Sequence, residues 1–89
     1  MPKPLPEWSR RIKTLRQRRR LTQAALGKVL GVTKKVVADW EQGRQQPSAH
    51  RYIQLAKLAG GEQALWLLDQ VGLDHAFLAS LMEDFNARG

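Results

Sequence analysis

Two threonines, Thr22 and Thr33, each open a short helix-compatible segment, and each segment runs to a glycine, Gly31 or Gly43. A threonine hydroxyl before a helix accepts from an amide of the first turn, and a glycine after it takes the left-handed conformation that closes the last. This punctuation predicts one helix from Thr22 to Gly31 and another from Thr33 to just before Gly43, joined by a very short turn. Few arrangements of two helices tolerate so short a link. They must meet at a steep angle, which needs a small residue where the backbones approach, and Gly27 supplies it. Gly31 can take positive φ in the turn. Val32 is apolar and can tuck under the corner. Leu26 and Leu30 face inward from the first helix, Val37 and Trp40 from the second. The outward positions of the second helix are then Thr33, Lys34, Lys35, Ala38 and Asp39, a face that starts basic.

The same reasoning divides the rest of the chain. Pro2, Pro4 and Pro6 mark an extended lead-in. A helix follows from about Glu7 to Arg19, with Trp8, Ile12 and Leu15 on one face. After a polar loop, Gly43-Arg44-Gln45-Gln46-Pro47, Ser48 caps a fourth helix that Gly60-Gly61 ends near Ala59. A fifth runs from about Glu62 to Val71, and Asp74 caps a sixth reaching about Asn86. Trp40, Tyr52, Ile53, Leu55 and Ala56 read as core. No alternating run signals a strand. The expected class is all-α, a compact bundle of five to six short helices. Residues 1–6 form the lead-in, 7–61 the main domain, and 62–89 a helical extension that packs on it, dimerises, or both.

Composition narrows what such a bundle can do. With 89 residues and no cysteine, the chain has room for one small domain without disulfides or Cys-based zinc sites. His50 and His75 are far apart in sequence, so no metal site is expected, and no cofactor. No apolar run reaches membrane-span length, and the N-terminus lacks a signal-peptide core, so a cytoplasmic protein is expected. Residues 1–51 carry 13 of the 15 Lys and Arg against three acids, a balance of +10. Residues 52–89 carry two bases against five acids, a balance of −3. A basic half suits a polyanion, or is a merely soluble surface. No nucleophile–base pair or metal cluster suggests an enzyme.

The segment LTQAALGKVLGVTKKVVADWEQGRQQPS, residues 21–48, meets the demands of a helix-turn-helix one by one. Residues 12–59 resemble the Cro and phage-repressor (XRE) family, and AHRYIQLAKLAG follows as the family's next helix. Gly27 departs from the family's usual Ala at a cost of about 1 kcal/mol in helix propensity. The resemblance implies a lambda-repressor-like fold and binding to double-stranded DNA, as a transcriptional regulator more readily repressor than activator.

It also implies residue roles. Gln23, opening the second helix, would contact a phosphate and brace the recognition helix. Thr33, Lys34, Lys35, Ala38 and Asp39 match the recognition-helix face turned to bases. Lys34 is the stronger base reader, toward guanine O6 and N7, although a lysine can equally serve a phosphate. Asp39 can accept from cytosine N4 or pair with Lys35 one turn back. Arg16 and Glu41 match an ion pair that locks the first helix against the motif. Arg18, Arg19 and Arg20 enter the second helix beside Gln23, and Arg44 and Ser48 border the loop after the third. These are phosphate candidates, with Arg44 the best placed in that loop; a solvated charge run is the plainer reading of the three arginines.

Past residue 61 the resemblance fades. Trp66, Phe77, Leu78, Leu81, Met82 and Phe85 give wide apolar stripes that a domain this small struggles to cover internally. They suggest a homodimer through the last two helices, against a longer monomer in which the sixth helix folds back. The acidic C-terminal third leaves room for an antitoxin-type regulator that also binds a toxin-like protein partner. An adaptor that docks protein or RNA is a further alternative.

Overall fold

Pro6, in extended conformation at the N-cap, starts α1 (Glu7–Arg18). In the computed structural model four more helices follow among the described residues: α2 (Gln23–Leu30), α3 (Lys34–Glu41), α4 (Ala49–Ala59) and α5 (Gly61–Asp69). The structure describes residues 4–73 and Ser80, and there is no strand among them. The chain is all-α, as its punctuation predicts. Thr22, Thr33 and Ser48 are N-caps whose hydroxyls accept from Ala25, Val36 and Arg51 amides at 3.0, 3.2 and 3.4 Å. Apart from Ser80, the expected sixth helix, with Phe77, Leu78, Leu81, Met82 and Phe85, lies outside the described residues.

Gly31 stands at φ 78° and lets the Val32 amide turn back to the Gly27 carbonyl at 2.8 Å. The close approach at Gly27 is tighter than the sequence suggests. A Cβ there would come within 2.6 Å of the Val32 carbonyl oxygen, so even alanine would force the turn to shift. The family's usual residue is thus not a free exchange in this chain.

α1 packs on α3 and α5, α2 on α3 and α4, and α4 on α5. Ile12, Leu15, Leu26, Leu30, Val37, Trp40, Tyr52, Leu55, Ala56 and Leu67 form one buried cluster. Leu67 belongs to α5, so that helix completes the core instead of standing apart from it. Ile53, expected in the core, is only half-buried. Arg11 ties α1 to α5: its guanidinium lies 4.3 Å from the Trp66 ring centroid and donates to Gln63 Oε1 at 2.9 Å. Trp66, expected in a dimer interface, is therefore half-buried against its own α1.

Candidate nucleic-acid interface

The interface grows from the way α3 is held. Val37 and Trp40 are buried. With that side fixed, Thr33, Lys34 and Lys35 are left exposed at the N-terminal end, and Ala38 half-buried. At the other end, the Trp40 carbonyl accepts from Ser9 Oγ at 2.6 Å. Ser9 is fully buried, and nothing in its sequence neighbourhood marks it as a cap for a helix 31 residues away.

Glu41 closes α3 from the same side. Arg16 grips it with two bonds, Nε to Oε2 at 2.6 Å and Nη2 to Oε1 at 2.9 Å, and Arg16 Nη1 donates to the Leu21 carbonyl at 2.9 Å. The side chains are 14% and 4% exposed, so water competes little for the pair. The bond to Glu41 raises the Arg16 pKa, outweighing the opposite effect of burial. Gln23 Nε2 reaches the same carboxylate at 3.4 Å, so the start of α2 is hitched to the end of α3.

Of the two readings open for Asp39, the structure shows the pairing with Lys35 and not an outward, base-facing carboxylate. Asp39 is only 8% exposed. Lys35 Nζ lies 3.1 Å from its Oδ2, and Arg44 Nη1 lies 3.5 Å from its Oδ1. Both cations remain mostly in solvent, with side chains 84% and 68% exposed.

The arginine run divides. Arg18 lines a cleft with Arg11 and the Ala59–Gln63 junction. Arg19 points a guanidinium nitrogen at the Ala59 carbonyl, 3.5 Å away. Both lie toward the α4–α5 corner. Arg20, at φ 56°, closes α1 as a left-handed residue, with its amide on the Gln17 carbonyl and that of Leu21 on Arg16. Its side chain is exposed just before α2.

Two polar supports have no local signal in the sequence. Arg51 Nη1 caps the Leu30 carbonyl at the end of α2, and Gln54 Nε2 also reaches it at 3.4 Å. Gln46 Nε2 donates to the Tyr52 hydroxyl at 3.0 Å. Among the described residues no group of His, Cys, Asp and Glu could hold a metal ion. None of the described helices is long and apolar enough to cross a membrane.

Two capped helices joined through Gly31, the second braced from behind and basic in front, define a helix-turn-helix protein. The chain matches the model of the helix-turn-helix domain family, XRE-like DNA-binding domains, over residues 7–66. It belongs to that family. No curated protein and no solved structure gives a significant match.

Proposed function

We propose that this chain is a sequence-specific double-stranded DNA-binding transcriptional regulator, a repressor, that reads the major groove with α3. What carries the reading is the exposed Thr33-Lys34-Lys35 end of a helix whose opposite side is fixed by Trp40, Ser9 and Arg16. A rigid mount is what base readout requires, because donors must meet base edges in register. Lys34 is the base reader. Arg20, Arg44 and the α2 N-terminus with Gln23 contact the backbone. Repression follows from occupancy of a promoter, which needs no second surface. The protein works in the cytoplasm, as a homodimer on half-sites one helical turn apart. The acidic C-terminal third would be the surface for any protein partner, which co-purification with neighbouring gene products would identify.

Selection of bound duplexes from a random pool tests the reading. A defined motif is expected. Lys34→Ala should then lose about 1–3 kcal/mol of discrimination at one base pair. Arg20→Ala should weaken every duplex alike. A pool that yields no motif, or a preference for RNA at moderate salt, would overturn it.

A further inference from the structure

On the reading that α3 meets duplex DNA, we propose that Asp39 is a positioning residue for specificity: it holds Lys35 and Arg44 back from indiscriminate phosphate contact and leaves Lys34 free to read. Asp39 lies on the recognition helix, yet both its carboxylate oxygens face a cation, Lys35 at 3.1 Å and Arg44 at 3.5 Å. A carboxylate so placed is poorly disposed to accept from a base.

Helix stability does not account for this acid. Asp39 stands in the last turn of α3, where the helix dipole disfavours negative charge and where no basic residue lies. The lysine-before-acid order of Lys35 and Asp39 is also the weaker one in an isolated helix. The acid is tolerated because two cations converge on it, one from its own helix and one from the following loop. Its effect on them is electrostatic and geometric. Two exposed cations with an almost buried anion between them present a net charge of +1. They are also tethered, so each must leave the carboxylate to follow a phosphate. A backbone that docks out of register gains less from them than it would from two free side chains. Among the described residues Lys34 has no such tie.

The test compares the full chain with Asp39→Asn and Asp39→Glu on a selected duplex and on its scrambled counterpart, from about 50 to about 200 mM salt. Asp39→Asn should bind the scrambled duplex more tightly, with a salt slope steeper by about one. Its ratio of selected to scrambled affinity should fall by about tenfold. Asp39→Glu, which keeps the anion, should recover part of that ratio. In a Lys35→Gln/Arg44→Gln background, Asp39→Asn should leave the slope unchanged, because its effect runs through those cations. An unchanged slope and ratio in Asp39→Asn, with only the melting temperature altered, would mean a purely structural acid and overturn the proposal. So would lost preference at a single base pair with the slope intact, which marks a base reader. If the wild-type chain itself does not prefer its selected duplex, the DNA-reading proposal fails first, a result separable from the others.

Discussion

Arg20 occupies a conformation that glycine takes at Gly31, Gly43 and Gly72. The left-handed region costs a residue with a Cβ roughly 1–2 kcal/mol. Arg20→Gly should therefore stabilise the fold by about 1 kcal/mol in urea unfolding, while weakening binding to all duplexes if the side chain serves the backbone. Loss of stability would show that Arg20 has a packing role. Tyr52 gives a second test. Burial raises its pKa above the usual value, partly offset by the hydrogen bond from Gln46. The folded state thus keeps the phenol proton to higher pH than the unfolded chain. Stability from this group is fully present below about pH 10 and is lost as pH rises from there through the folded value. Wild type should lose stability over that window, and Tyr52→Phe should lose less.

At the scale of helices, local chemistry was readable because it acts over a few residues. Thr22, Thr33 and Ser48 cap the helices they were expected to cap, and Gly31 makes the expected turn. Bonds between helices were not readable in this way. Ser9 reads as an ordinary polar residue in α1, yet folding brings it under the end of α3. Ser9→Ala should cost about 1 kcal/mol. The Trp40 carbonyl keeps the Gly43 amide at 3.2 Å, so the loss is moderate. A cost above about 3 kcal/mol would mean that the α1–α3 contact collapses as a whole. Arg51 and Gln54 at the end of α2 have the same character: partners 21 and 24 residues apart, brought together by packing.

For the molecule as a whole, the Arg16–Glu41 pair joins α1, the α1–α2 turn and α3, and Gln23 adds α2. Arg16→Gln and Glu41→Gln should each cost about 3 kcal/mol, because each strands a poorly hydrated charge. The double variant should cost clearly less than the sum, as unfolding midpoints would reveal. Simple additivity would mean that the pair contributes as two independent groups. The sequence by itself determined the all-α class, the helix-turn-helix and its basic leading edge, because caps, glycines and helical periodicity are local codes. The resemblance added the positions of Arg16 and Glu41. Only the tertiary structure decided how the charges were shared out. It turned Arg18 and Arg19 toward the α4–α5 corner, stacked Arg11 on Trp66, and brought Arg44 to the Lys35–Asp39 pair that helical spacing already offered. Where a long charged side chain comes to rest depends on which neighbours the packed helices place within its reach, and spacing along the chain does not carry that information.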